Sequence, residues 1–317
     1  MRCALILLLL SLGVSFSHAA SAGCPAVLHA QEIFVYPDLM KSHAEYGDYE
    51  IRIFDSRFCS GPRFKEPSGL EIRKAGKVIY TRTGWGFAIG YPLEEDQPPD
   101  AVKIKVGDDL TGDGVPDLLV SEWTGNAHCC YFFRVFQLGP EFKELQELPL
   151  FDADESAFVR RPDVKGLVLD TADYSAFAYF PSSFAGSPAG RVFLSFHDGK
   201  FRPDASLMRA DAPRTGEIVK CAALFTPSRD WKTSQPMGMW YYATDLIYAG
   251  NETQAWAFLN AAWGGSTADK RKYLDEYRSR LKKSIYYPDL ESLQKAPVST
   301  AGQKIDWTKQ CFEYLRG

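Results

Sequence analysis

From about Glu32 to Leu207 the apolar positions recur with a period of two, and after Cys221 they recur every third or fourth residue. The first period belongs to strands with one face turned inward and the second to helices with an apolar stripe. Strands are predicted at Glu50–Phe54 and across Leu70–Tyr80, where Ala75-Gly76 breaks the run as a hairpin turn. Val102, Ile104 and Val106 alternate with Lys103 and Lys105, the pattern of a half-buried strand. Leu118–Trp123 and Cys129–Leu138 follow. The second is apolar on both faces and predicts a strand inside a sheet covered on both sides. Leu167–Asp170, Phe177–Phe180 and Arg191–Phe196 continue the series, with a turn at Asp198-Gly199.

Helices are predicted at Trp231–Ala249, then from Asn251 with Gln254 as a capping box, and from Ser266 with Asp269. Ala255, Phe258, Leu259 and Ala262 form one apolar stripe, and Leu274, Tyr277 and Leu281 another. The small residues Ala243, Ala255 and Ala262 give this helix pair a faint likeness to a tetratricopeptide hairpin, and a plain antiparallel helical pair accounts for it as well. Trp307, Cys311 and Leu315 share a face, which predicts a C-terminal helix packed back on this region. The fold class expected is therefore mainly β, with blade-like antiparallel sheets forming an incomplete propeller or a sandwich, followed by a smaller α-helical C-terminal unit. A weak echo between Leu118–Phe142 and Leu167–Phe201, offset by about 50 residues, is in the range of one four-stranded blade. The domain limits read as a signal segment 1–22, a β domain 23–210 and a helical domain 211–317.

The first residues are themselves informative. A single Arg2, an apolar run Ala4–Val14 and the small-residue end Ala20-Ser21-Ala22 read as a secretory signal cleaved after Ala22. The apolar run is too short to span a bilayer core, which needs roughly 20 residues. An exported protein, periplasmic or secreted, is expected; the alternative is a lipid anchor through Cys24. Export makes disulfides the natural state of Cys24, Cys59, Cys129, Cys130, Cys221 and Cys311. The pairing expected is Cys24–Cys59, Cys221–Cys311 and a vicinal Cys129–Cys130 bridge, with two bridges from 129 and 130 to other partners as the competitor. Composition then excludes some partners. The 317 residues are 45% hydrophobic and 14% aromatic, enough to build cores, and the net charge of −4 leaves no footprint for nucleic acid.

One segment has chemistry in its spacing. In Asp109-Leu110-Thr111-Gly112-Asp113-Gly114-Val115-Pro116-Asp117, side-chain oxygens recur at the first, third, fifth and ninth positions, and glycines at the fourth and sixth permit a tight turn. Asp109, Thr111, Asp113, Asp117 and the Val115 carbonyl form an all-oxygen set suited to calcium. The twelfth position is Val120 and not the bidentate glutamate of an EF-hand. Over Val106–Phe142 the segment resembles an FG-GAP repeat, the Asp-rich blade of integrin-type and bacterial secreted propellers, in which Pro-Asp-Leu and an aliphatic strand follow the loop directly. The resemblance implies a calcium-holding blade. Thr111, where that family usually has Asp or Asn, implies a weaker site.

Other candidates divide between chemistry and structure. His128 beside the cysteines reads either as a soft-metal site for copper or zinc or, with the cysteines oxidised, as a turn residue. Asp152 with Asp154, and Asp170 with Asp173, are carboxylate pairs of the kind glycoside hydrolysis uses, and they are equally ordinary turn residues. Trp231, Trp240, Tyr241, Tyr242 and Trp256 are either a sugar-stacking group or core. The helix 269–283 carries seven basic side chains against three acidic ones, a candidate for weak contact with anionic surfaces. No Gly-x-Ser-x-Gly, His-Glu-x-x-His or phosphate-cradling glycine loop is present. The expected function is an exported, calcium-stabilised binding or interaction protein with a protein or glycan ligand. The alternative is a hydrolase or lyase acting on envelope or extracellular polysaccharide.

Overall fold

The computed structural model describes residues 30–57, 66–91, 98–126, 129–153, 155–228, 231, 235–300 and 302–315. The segment 1–22 expected to be a signal, Cys24, Cys59, His128, Asp154 and the side chain of Cys129 lie outside the described residues. Within them the chain is mixed and β-rich, with twelve antiparallel strands in three four-stranded sheets, followed by helices. No closed barrel or propeller forms among the described residues.

Each sheet is built from consecutive strands. The first holds β1 (Met40–Tyr46), β2 (Tyr49–Asp55), β3 (Ser68–Lys74) and β4 (Lys77–Gly84); the second β5 (Gly86–Ile89), β6 (Asp117–Asn126), β7 (Cys129–Leu138) and β8 (Phe142–Phe151). The third holds β9 (Ala157–Val159), β10 (Val168–Asp173), β11 (Gly190–His197) and β12 (Lys200–Pro203). The β3–β4 turn falls at Ala75-Gly76, both at positive φ, and the β11–β12 turn at Asp198-Gly199 has the same character. Two adjacent residues at positive φ match the twist of a hairpin.

The sheets stack in layers. Ile51, Ile53, Leu70 and Ile72 of the first pack with Leu118, Val120, Phe136 and Leu138 of the second. The other face of the second sheet, through Leu119, Phe133, Val135 and Leu148, joins a core that includes Phe158 and Leu169 of the third sheet and continues into the helices. Leu118, Leu119 and Val120 are all buried, so β6 has no solvent face, and β7 shares this setting as its sequence predicts. Burying such an aliphatic side chain contributes about 1.5–3 kcal/mol.

The helices are α1 (Ala205–Met208), α2 (Thr215–Phe225), α3 (Met237–Tyr248), α4 (Glu252–Ala262), α5 (Thr267–Leu281), α6 (Tyr287–Leu293) and α7 (Trp307–Tyr314). Helix α3 lies on β11, where Gly190 leaves room for the Tyr248 ring; a Cβ there would stand 2.2 Å from it. The Cys221–Cys311 disulfide ties α2 to α7, as expected. Cys130 is also disulfide-bonded. Trp307 and Cys311 are buried, whereas Leu315 is exposed.

Several expectations are corrected. Residues 102–106 keep the alternation, with Ile104 buried between exposed lysines, but form no strand. Phe177–Phe180 is a turn whose two phenylalanines are buried. Helix α3 begins at Met237, after Pro236, not at Trp231. Asn251 makes no side-chain cap; its amide donates to the Ala210 and Ala249 carbonyls, and Gln294 Oε1 accepts the Glu252 N–H instead. Ser266 caps α5 as predicted, accepting the Asp269 N–H at 3.1 Å.

Candidate functional site

The acidic loop forms a tight structure between the extended segment 102–106 and β6. Asp109 accepts the Gly112 and Gly114 N–H groups at 2.7 and 3.0 Å. Asp113 accepts the Val115 N–H at 2.8 Å and Gln137 Nε2 at 2.7 Å. Thr111 Oγ1 donates weakly to Asp109 at 3.4 Å. Gly112 and Gly114 are at positive φ, and Gly112 meets Gly166 so closely that a Cβ would fall 2.4 Å from its nitrogen. The loop is thereby seated on the approach to β10, where the Leu167 N–H donates to the Leu110 carbonyl at 2.8 Å.

Asp117 is fully buried at the end of this loop. Its Oδ2 accepts the Leu110 and Thr111 N–H groups at 2.9 and 3.0 Å, while its Oδ1 has no hydrogen-bond donor. Burial pushes the Asp117 carboxyl up to about 6. The donor chemistry of the loop fits a hard cation, and the orphaned Oδ1 is the atom that lacks a partner. The carboxylates of Asp109, Asp113 and Asp117 do not converge to within 4.8 Å as a group; apart from the orphaned Asp117 Oδ1, their oxygens accept the loop's own amides and the Gln137 side chain. Among the described residues, the group that does meet that limit is His43, Glu45 and Glu50 on the first hairpin, where Arg52 already pairs with Glu50 at 2.6 Å.

A large concave feature lies elsewhere, where the third sheet meets α3 and α7. Two adjoining cavities of about 550 and 680 Å³ share Arg191, Asp245 and Gln310 on their walls and together form a trough. Arg191 on β11 is held by Asp170 on β10, with Nε to Oδ1 at 2.8 Å. Arg161 pairs with Asp100 and holds its carboxyl below the usual carboxylate range. Both guanidinium groups lie against Phe193, at 4.7 Å for Arg191 and 5.6 Å for Arg161.

Asp245, on α3, makes no ion pair among the described residues. Its Oδ2 accepts Tyr314 Oη and Gln310 Nε2, each at 2.5 Å and both neutral donors from α7. Burial pushes its carboxyl up to about 6 despite the pull of Arg191. Since Oδ2 already carries two donors, a bound proton or a ligand donor goes to Oδ1.

The pair Asp170 and Asp173 separates in the fold, and the partner of Asp152, Asp154, lies outside the described residues. Asp170 faces the trough, whereas Asp173, three residues on, is buried beneath α3 and accepts Tyr248 Oη at 2.6 Å and the Ser284 hydroxyl. Asp152 lies at the end of β8 beyond Phe151, and no trough wall includes it. Trp240 and Tyr242 are fully buried, so that aromatic group is core. Trp231 stacks on Trp263. In α5, Arg280 pairs with Glu276 at 2.8 Å, Arg278 lies over Trp256, Lys272 lies over Tyr273 and Lys270 donates to the Asn260 carbonyl at 2.8 Å, which leaves Arg271 as its exposed cation without such a contact among the described residues. Sequence reasoning passed over Arg161, Arg191, Asp245 and Lys304. The one local signal was Asp245 itself, the single charged side chain in the twelve-residue helix α3.

No family model, curated protein or solved structure matches the chain.

Proposed function

We propose that this is an exported binding protein whose ligand occupies the trough between the third sheet and the helical unit, with calcium seated in the Asp109–Asp117 loop. The observation that carries the reading is the trough: adjoining cavities of about 550 and 680 Å³ lined by arginine, carboxylate and amide groups drawn from β10, β11, α3 and α7. Such volumes suit a small polar ligand, and the rigid sheet presents Arg191 in a fixed position. The orphaned Asp117 Oδ1 supports the calcium seat, and the Asp109, Thr111, Asp113 and Asp117 oxygens with the Val115 carbonyl would hold the ion. Export is supported by the signal-like first residues together with the disulfides at Cys130 and Cys221–Cys311. The three consecutive four-stranded meanders support a blade-like reading of the sheets. The exposed basic side chains of 269–283, Arg271, Lys282 and Lys283 among them, make a weak, salt-sensitive contact with anionic surfaces.

The test is a thermal-shift screen of envelope glycan fragments and small peptides against the wild type and Arg191→Ala. Ligands that raise the melting temperature of the wild type alone support the trough. Ligands that stabilise both equally, or no ligand at all, overturn it.

A second reading, hydrolysis of an extracellular polysaccharide, draws on Asp245, whose carboxyl near 6 suits a general acid. Turnover of a glycan that Asp245→Asn abolishes supports it; turnover unaffected by that change removes Asp245 from the chemistry.

A further inference from the structure

The trough's charges are mostly matched within the protein. Arg191 is held by Asp170, Arg161 by Asp100, and Lys309 by Glu313 at 3.6 Å. Asp306 is engaged as the cap of α7, accepting the Lys309 N–H at 3.0 Å. Apart from that capping carboxylate, two charges on the wall of the 550 Å³ cavity make no ion pair among the described residues. Asp245 has no cation within salt-bridge distance, and Lys304, exposed on the segment before α7, makes no ion pair among the described residues.

An unmatched carboxylate and an unmatched ammonium facing one cavity are the complement of a ligand that carries both signs. We infer that this cavity binds a small zwitterion, a short peptide with free termini, its ammonium on Asp245 and its carboxylate on Lys304. The inference rests on the trough being the ligand site. The chemistry on each side is specific. Asp245 offers Oδ1 because Tyr314 and Gln310 fix Oδ2, so the carboxylate is held in one orientation before the ligand arrives. A ligand ammonium supplies the positive charge that the neutral phenol and amide do not. At the other end Lys304 is a mobile point charge, suited to a carboxylate without demanding one geometry. The guanidinium groups of Arg161 and Arg191, immobilised on Phe193, wall the cavity between. A neutral sugar would leave both charges uncompensated on closing out water, and a purely anionic ligand would set its charge against Asp245.

Isothermal titration with trialanine, its N-acetyl form and its C-terminal amide tests this. The free peptide is expected to bind, and each capped form to bind at least tenfold more weakly. Asp245→Asn is expected to erase the preference for the free amine while keeping that for the free carboxylate, and Lys304→Ala to do the reverse. Capped peptides binding as well as the free one, or no binding of trialanine at millimolar concentration, overturn the inference. The two readings then separate through Arg191→Ala. If some neutral glycan still binds the wild type and is lost in that variant, the zwitterion fails and the trough stands. If no probe responds to that variant, the trough itself fails.

Discussion

Asp173 of β10 and Tyr248 at the end of α3 meet in the interior, the tyrosine hydroxyl donating to the carboxylate at 2.6 Å. The bond fastens the helical layer to the third sheet, and Ser284, just past α5, donates to the same oxygen. Burial and the neighbouring Asp173 raise the Tyr248 hydroxyl well above its ordinary range, so it remains a donor at any pH the protein meets. Tyr248→Phe is expected to cost about 1–3 kcal/mol, because a buried carboxylate loses a donor it cannot replace with water. Asp173→Asn is expected to cost more, since an amide nitrogen would face hydroxyl donors. Urea denaturation of both variants checks the order.

The Cys221–Cys311 bridge closes a span of 90 residues. Its double replacement by serine is expected to remove about 2–5 kcal/mol, by freeing the unfolded chain more than the folded one. Denaturation of the double variant under non-reducing conditions, with Cys130 left oxidised, isolates this bridge.

These packing contacts show what kinds of information lay in the sequence. The turn at Ala75-Gly76, the Ser266 cap and the two-faced burial of β7 were legible because each is written in neighbouring residues. Val102–Val106 misled because alternation encodes which side chains are buried, and whether a strand forms depends on a partner edge that this segment lacks beyond one bridge from Ala101 to Val159. Asn251 had the right chemistry for a cap, but Gln294 from the end of α6 reached the helix first. The acidic loop reads in sequence as a calcium loop with a tight glycine turn; the turn at Gly112 and Gly114 is there, whereas the aspartate–amide bonds and the orphaned oxygen of Asp117 appear only once the neighbours are packed. The trough was invisible because Arg161, Arg191, Asp245 and Lys304 come from segments with no common spacing.

Asp113→Ala is expected to lower the melting temperature in calcium and to abolish the calcium-dependent part of stability. With a Kd of about 10⁻⁴–10⁻³ M, as in extracellular modules, millimolar calcium adds on the order of 1 kcal/mol. Differential scanning calorimetry with chelator and with excess calcium measures it. Identical melts for both proteins in both conditions would mean a bare turn.

Asp245 sets a pH dependence. Its folded carboxyl is raised to about 6, above the ordinary 3.8, so the folded state holds the proton more tightly than the unfolded chain. The stability it contributes is complete below about 4 and is lost as pH rises through about 6. Arg191 from β11 and the Tyr314 and Gln310 donors from α7 face it and oppose the shift without cancelling it. Asp245→Asn is expected to flatten that part of the stability profile, measured as urea midpoints at pH 4.5 and 7.5 for both proteins. A profile unchanged by the substitution would return the carboxyl to the ordinary range.

The order of the strands has a kinetic consequence. Because every sheet is a run of consecutive strands, a chain delivered N-terminus first can finish β1–β4 before β5 exists. The middle sheet is the vulnerable stage. Until β9–β12 arrive, the side of β5–β8 that bears Leu119, Phe133, Val135 and Leu148 is bare. A chain halted there would present a sticky apolar plate to its neighbours, so the interval between the second and third sheets is where a chaperone has most to protect.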